Sequence, residues 1–275
     1  MDNLEYPDLS DSLFRKMAGL LYEKSGITLK EHKKYLVVHR LSQYMNQSKR
    51  YRTYEEYFAE LLSDKSGEMV TDFINALTTN FSYFFREGIH FTALRKYLSE
   101  KQAQEPYIRI WSAACSTGEE PYSIAISCMR SIPNISAADI KILATDISTK
   151  VLEIAQKGQY HYSKIRGNVE DGELKTFFQF AKDDNTFIVK PEIKDLIAFR
   201  YLNIMDDYPF KKKFDVVFLR NILIYFENKD KEIIINKLFE TIKPGGLLIM
   251  GLSESMVGIQ NPFINLKNSI YIKSA

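Results

Sequence analysis

The stretch YIRIWSAACSTGEEP, residues 107–121, decides the fold. Its first half contains a short apolar run, Ile108 to Ser112, with the length and composition of a buried strand. Its second half is a turn of small residues, Ala113, Ala114, Cys115, Ser116, Thr117 and Gly118, which leads into Glu119, Glu120 and Pro121 at the start of a helix. Strand, tight turn and helix in that order make the first half of a βαβ unit. Ligands of open parallel sheets lie outside the carboxyl ends of the strands, so small residues at this turn let a ligand approach the backbone.

The same alternation continues downstream. Strand-like runs recur at Ile140 to Thr145, Ala198 to Leu202, Asp215 to Leu219, Gly246 to Gly251 and Ser269 to Ile272, with helical segments between most of them. The pattern breaks between Gly158 and Tyr201, where Asp183, Asp184 and Asn185 separate Phe177, Phe178 and Phe180 from Phe187, Ile188 and Val189. This predicts a small antiparallel insert with a turn at Asp184 and Asn185. Upstream, apolar residues recur at helical spacing: Leu13, Met17, Leu20 and Leu21, then Leu36, Val37, Leu41, Tyr44 and Met45. Gly26 is placed to end the first helix, and Thr53 with Glu56 has capping-box spacing ahead of Tyr57, Phe58, Leu61 and Leu62. With the stripe Met69, Val70, Phe73, Ile74 and Leu77, about four short helices are expected before Asn80, and another from Glu87 to about Lys101. The expected class is α/β: a small all-helical domain over residues 1–80, then a Rossmann-like domain over 81–275 with a β insert at 158–201.

Composition narrows the function. The 275 residues are 45% hydrophobic, 26% charged and 13% aromatic, a globular balance that excludes wholesale disorder. Net charge is +2, so the whole molecule is no polycation built for nucleic acid. No apolar run approaches the ~20 residues of a membrane span, and the acidic start, Asp2 to Glu5, lacks the arrangement of a signal peptide. Two cysteines, Cys115 and Cys128, are too few for a disulfide framework and suit a reducing cytoplasm. His32, His39, His90 and His161 lack metal-ligand spacing, so no metal is expected. One local charge patch stands out: Lys30, Lys33, Lys34, Arg40, Lys49, Arg50 and Arg52 against Glu31 alone.

The second strand ends at Asp146, placed to accept hydrogen bonds from ribose hydroxyls. The competing reading is that Asp146 caps the next helix with Ser148 and Thr149. A dinucleotide fits poorly, because G-x-G-x-x-G is absent and Glu119 and Glu120 would repel a pyrophosphate. S-adenosylmethionine, a sulfonium without phosphates, suits the turn. Cys115, with no histidine nearby in sequence, reads as a small buried thiol, and Trp111 as a residue packed on the sheet.

Four segments then carry a resemblance: Thr78 to Glu87 (TTNFSYFFRE), Trp111 to Ser123 (WSAACSTGEEPYS), Ala144 to Ile147 (ATDI) and Arg220 to Phe226 (RNILIYF). In this order they resemble the signatures of CheR, the chemotaxis receptor methyltransferase family. The resemblance implies transfer of a methyl group from S-adenosylmethionine to glutamate carboxylates on chemoreceptor cytoplasmic helices, leaving S-adenosylhomocysteine. It implies that Asn80, Ser82 and Arg86 line the cofactor site, with Ser82 standing where the family more often has threonine. It further implies Glu120 at the amino end of the methionine moiety, Asp146 at the ribose, and Asn203, Ile204, Asn221 and Ile222 around adenine and ribose.

A glutamate carboxylate is ionised at pH 7 and needs no general base, so positioning is the main task. Arg86 is the candidate to orient a carboxylate and Tyr225 to donate a hydroxyl beside the transferring methyl. The structural alternatives are that Arg86 only pairs with Glu87 or Glu120 and that Tyr225 only packs. The resemblance makes the basic face with Lys30, Lys33, Lys34 and Arg40 a docking surface for acidic receptor helices, against the plain reading of a solvated helix face. It also makes the insert a second docking element for a receptor tail, although the Asp183-Asp184-Asn185 turn lacks glycines and points to tail independence. No nucleic acid partner or membrane insertion is expected, and the chain is expected to be monomeric and cytoplasmic. A methyltransferase of another class is disfavoured because Arg220-Asn221-Ile222-Leu223-Ile224-Tyr225 replaces the N-P-P-Y type of motif, and Asn261-Pro262-Phe263 reads as a loop. The remaining alternative is a noncatalytic S-adenosylmethionine-binding receptor scaffold.

Overall fold

The computed structural model describes residues 7–46, 50–101, 107–181 and 185–274; Lys49, Asp183 and Asp184 lie outside them. The chain divides into two compact units, Met1–Thr79 with Tyr225–Glu227, and Asn80–Ile224 with Asn228–Ala275.

The first unit contains α1 (Asp11–Ser25), α2 (Lys34–Asn46), α3 (Tyr54–Ser63) and α4 (Glu68–Leu77). Side-chain caps fix the starts of two of them: Ser10 Oγ accepts from Leu13 N–H at 3.2 Å, and Thr53 Oγ1 accepts from Glu56 N–H at 3.2 Å. The Glu56 carboxylate reaches back to the Arg52 N–H at 2.7 Å, one residue before the cap itself, which is a variant of the expected box. Helix α1 ends where expected, at Gly26, whose φ of 74° lets its N–H return to the Tyr22 carbonyl. The apolar stripes meet in a core that includes Met17, Leu21, Val37, Leu41, Tyr54 and Phe73, all fully buried.

The second unit begins with α5 (Ile89–Lys101) and continues β1 (Ile108–Ala113), α6 (Glu119–Ser131), β2 (Ile140–Asp146) and α7 (Thr149–Lys157). Next come β3 (Gln159–His161), α8 (Tyr162–Ile165), α9 (Asp171–Phe177), β4 (Phe178–Ala181), β5 (Thr186–Val189) and α10 (Pro191–Lys194). It closes with β6 (Ile197–Tyr201), β7 (Phe214–Leu219), α11 (Asn228–Thr241), β8 (Ile242–Met250), β9 (Phe263–Asn265) and β10 (Ile270–Lys273). The main sheet runs β6-β2-β1-β7-β8-β10-β9. Its first five strands pair in parallel, while β10 pairs antiparallel with both β8 and β9. The strand order reverses between β1 and β7, so the ligand crevice is expected at their carboxyl ends. All six residues of β7 are buried, as a central parallel strand requires.

The structure departs from the sequence expectations in three places. The insert is a three-stranded antiparallel sheet, β3-β5-β4, but it stops short of residue 201, because Ile197–Tyr201 pairs in parallel with β2. Asn261-Pro262-Phe263 is not wholly a loop: Phe263 opens β9, a strand too short for any periodicity to announce. Strand β8 starts at Ile242, ahead of Pro244 and Gly245, with an irregular register against β7 between Phe214 and Val216. There the buried Asp215 takes the Arg109 N–H and Lys243 Nζ at 2.7 Å each.

Candidate active site

The turn after β1 is held in a strained backbone. Ala114, Ser116 and Gly118 have φ of 69°, 51° and 97°. Such left-handed conformations cost a non-glycine residue roughly 1–2 kcal/mol each, and they persist only where surroundings over-determine them. The surroundings here are specific. Cys115 N–H donates to the Thr145 carbonyl at 2.8 Å, Ser116 N–H to Asp146 Oδ2 at 2.8 Å, and Tyr160 Oη to the Thr117 carbonyl at 2.7 Å. Gly118 is obligatory, because a Cβ there would lie 2.8 Å from both Ala155 Cβ and Tyr160 Oη. Ser116 Oγ in turn donates to the Asn80 carbonyl at 3.1 Å, which ties the residues after 79 to this turn.

Asp146 terminates β2 and is 7% exposed. Its second oxygen accepts from Ser148 N–H at 2.9 Å, while Ser148 Oγ caps α7. The capping alternative is therefore half right: Ser148 is the cap, and Asp146 shapes both turns through backbone amides. Burial pushes the Asp146 carboxyl above its ordinary range, and those amides oppose the shift. The strand beside it, β6, delivers the buried pair Asn203 and Ile204 to the same edge, with Asn203 Oδ1 accepting from Met205 N–H at 3.1 Å.

Glu120 sits one turn away on α6. Its oxygens accept from Ser112 Oγ at 2.7 Å and from Arg220 Nη1 at 2.9 Å. Burial raises this carboxyl, opposed chiefly by the Arg220 charge. Arg220, whose side chain is 2% exposed, also donates to Glu87 Oε2 at 2.9 Å and to the Arg86 carbonyl. Burial lifts Glu87 too, but the hydrogen bond and charge from Arg220 outweigh it and hold the carboxyl below its usual range. Neither carboxylate is thus left for Arg86. Among the described residues the Arg86 guanidinium makes one hydrogen bond, to the Phe81 carbonyl at 3.1 Å, and lies over the rings of Phe81 and Tyr83. The expected alternative, that Arg86 only pairs with Glu87 or Glu120, is replaced by Arg220 in that role.

Asn221, with φ of 57°, and Ile222 follow Arg220 off the end of β7. Ser82 is half-buried between Asn80 and Arg86. Tyr225 ends a short 3-10 turn, Leu223–Tyr225, and falls in the first unit, where its carbonyl accepts from Thr28 N–H at 2.9 Å. The other candidates belong to the second unit, where the ends of β1, β2, β6 and β7 and the segment 80–87 carry them. Its donor set includes acceptors and donors with capacity to spare: Glu120 and Asp146 can accept further hydrogen bonds, as from an ammonium or hydroxyls, and Arg86 can donate, as to a carboxylate.

Comparison with known proteins gives the site its family. A model described as CheR methyltransferase, SAM binding domain, matches residues 80–272, and one described as CheR methyltransferase, all-alpha domain, matches residues 12–78. The chain belongs to the CheR methyltransferase family. Curated relatives include the chemotaxis protein methyltransferases of Vibrio parahaemolyticus (35% identical, 93% of this chain, 93% of the relative) and Borreliella burgdorferi (37%, 94% and 93%). That of Escherichia coli strain K12 is 33% identical over 97% of this chain and 92% of its own length. The chain is an S-adenosylmethionine-dependent methyltransferase by family.

The sequence alone does not single out two buried charged residues, Arg220 and Glu254. Arg220 belongs to the Arg220 to Phe226 segment, but its partners Glu120, Glu87 and the Arg86 carbonyl lie 100, 133 and 134 positions away. Cys115 is fully buried with its thiol pushed well up, an inert group rather than a nucleophile. Trp111 is buried and donates Nε1–H to Thr145 Oγ1 at 2.9 Å. Among the described residues no group of three or more His, Cys, Asp or Glu side chains could hold a metal ion, and no helix is long and apolar enough to cross a membrane.

The basic face is only partly available. Arg40 donates to the Leu77 and Thr78 carbonyls at 2.6 and 3.0 Å and to Thr79 Oγ1, so it caps α4. Lys34 pairs with Asp11 at 2.6 Å and Arg50 with Glu60. Lys30 and Lys33 make no ion pair with the described residues.

Proposed function

We propose that this chain methylates glutamate side-chain carboxylates of chemoreceptor cytoplasmic helices, using S-adenosylmethionine and giving glutamyl methyl esters for adaptation. The observation that supports it best is the strained turn held by Asp146 and flanked by Glu120 and Arg86, in a chain 33–37% identical to chemotaxis protein methyltransferases over nearly all its length. S-adenosylmethionine supplies an electrophilic methyl group; a substrate carboxylate oxygen gains it, the thioether S-adenosylhomocysteine leaves, and no proton moves. The residues then need only bind and orient. Asp146 takes the ribose hydroxyls, Glu120 the ammonium, and Asn80, Ser82, Asn203, Ile204, Asn221 and Ile222 frame the rest. Arg86 orients a carboxylate with its uncommitted guanidinium donors, and Tyr225 offers its hydroxyl to the substrate. Retention of these groups favours an enzyme over a noncatalytic scaffold.

The reading extends to organisation and partners. The domains divide as residues 1–80 and 81–275, the chain works as a cytoplasmic monomer, and receptor helices dock on the first domain. Among the described residues Lys30 and Lys33 are cations free to steer them; Arg40 and Lys34 are already committed. Calorimetry tests the cofactor site: native protein binds S-adenosylmethionine and S-adenosylhomocysteine, and Asp146→Ala loses both. No binding by the native protein would sink the reading. Charge reversal of Lys30 and Lys33 lowers receptor methylation at low salt and loses its effect at high salt; unchanged methylation at low salt removes the docking role.

A further inference from the structure

Building on that cofactor reading, we infer that Glu254 is a positioning residue that sets the Asn221–Ile222 segment for cofactor binding. Glu254 is 5% exposed and lies in the turn after β8, whereas Asn221 lies in the turn after β7. Among the described residues its carboxylate has no cationic partner. Instead Oε2 accepts from Asn221 N–H at 2.7 Å and from Gly251 N–H at 2.8 Å, and Oε1 accepts from Leu223 N–H at 2.8 Å. Backbone amides turned inward around a left-handed residue form an anion-binding concavity, and here the anion is a side chain of the same chain. The Glu254 main chain is itself anchored, since its N–H donates to the Gly251 carbonyl at 2.9 Å and Ser269 Oγ donates to the Glu254 carbonyl at 3.1 Å.

The two turns pack closely. A Cβ on Gly251 would lie 2.4 Å from Asn221 Nδ2 and 2.9 Å from Glu254 Oε2, so a larger residue where the two turns close on each other would displace these two side chains. An isolated buried carboxylate is expensive, and a core built only for stability would favour an apolar residue here. Three backbone amides drawn to one carboxylate, two of them flanking Ile222, instead hold the Asn221 φ of 57° that presents this pair at the end of β7.

The test is calorimetric titration of the full chain with S-adenosylhomocysteine. Glu254→Gln replaces one acceptor oxygen by an NH2 that faces backbone N–H groups, so the dissociation constant rises about tenfold while stoichiometry stays near one. A merely structural role would lower the binding-competent fraction and leave the constant of that fraction unchanged; that result overturns the inference. Should the variant not fold, acid titration of the native protein serves. Asn221, Leu223 and Gly251 amide resonances shifting with one midpoint, at which affinity also falls, support it, with the Ser116 and Ser148 amides reporting Asp146 separately. Amides that titrate while affinity holds overturn it. Native protein that binds no S-adenosylhomocysteine defeats the cofactor reading itself, a distinguishable failure.

Discussion

Replacing Arg220 by methionine removes the cation that pairs with both Glu120 and Glu87 while filling much of its volume. The side chains involved are 2%, 12% and 15% exposed for Arg220, Glu120 and Glu87, so water cannot take over the lost charge. The orphaned carboxylates relieve the cost by taking up a proton. For a carboxyl whose ordinary value is 4.5, neutralisation at pH 7 costs roughly 3.4 kcal/mol, at about 1.36 kcal/mol per pH unit. That agrees with the ~3–5 kcal/mol seen when a buried pair loses one partner. In the variant the folded-state value of the carboxyl lies above the unfolded one. The variant therefore shows no such deficit below about pH 4.5, and the deficit grows as pH rises through the folded value. Urea denaturation of parent and variant at pH 5, 6, 7 and 8 measures it: a loss of about 3 kcal/mol at pH 7 that shrinks towards pH 5. A loss below about 1 kcal/mol at pH 7, or one independent of pH, would refute the reasoning. Adding Glu87→Gln to Arg220→Met recovers part of the loss.

Gly118→Ala combines a disfavoured backbone conformation with contacts of 2.8 Å to Ala155 Cβ and Tyr160 Oη, and loses about 2–5 kcal/mol in the same denaturation assay. His90 is buried, with Nε2 at 2.9 Å from the Asn268 carbonyl and Nδ1 at 3.4 Å from Glu87 Oε2; burial lowers its value, the Asn268 carbonyl and Glu87 opposing and the Arg220 charge assisting. Its stability contribution is complete above about pH 6.5 and is lost as pH falls towards the lowered folded value, so His90→Gln, which keeps a donor for Asn268, flattens the difference in stability between pH 6.5 and 5. Thr53→Ala removes the α3 cap and lowers stability by about 1 kcal/mol, read as a drop in Tm.

What could be read from sequence follows from how far apart the determining residues lie. The strand at Ile108 and the turn to Gly118 are legible because pattern and turn chemistry are contained in a dozen residues. Gly26 and Thr53 were equally plain, since a cap acts within one helical turn. Arg220 and Glu254 are not, because a buried charge is explained only by partners brought from distant segments, 100 to 134 residues away for Arg220 and 31 and 33 residues away for the Leu223 and Asn221 amides that meet Glu254. Arg40 misled for a related reason. A cation on a basic stretch reads as surface charge, yet its donors turn inward to the carbonyls that end α4. The limit of the insert is less legible because Ile197–Tyr201 is the edge strand of the parallel sheet, where Phe199 alone is buried, so its short pattern does not mark where the insert ends.

The central claim is transfer of a methyl group to a carboxylate oxygen, and the bond itself can be assayed. The native chain is incubated with a chemoreceptor cytoplasmic fragment and S-adenosylmethionine labelled in its methyl group, and the labelled receptor is treated with mild base. The account predicts label on the receptor that is released as methanol, with incorporation lost in Asp146→Ala. Label that survives base would place the methyl on nitrogen and contradict it.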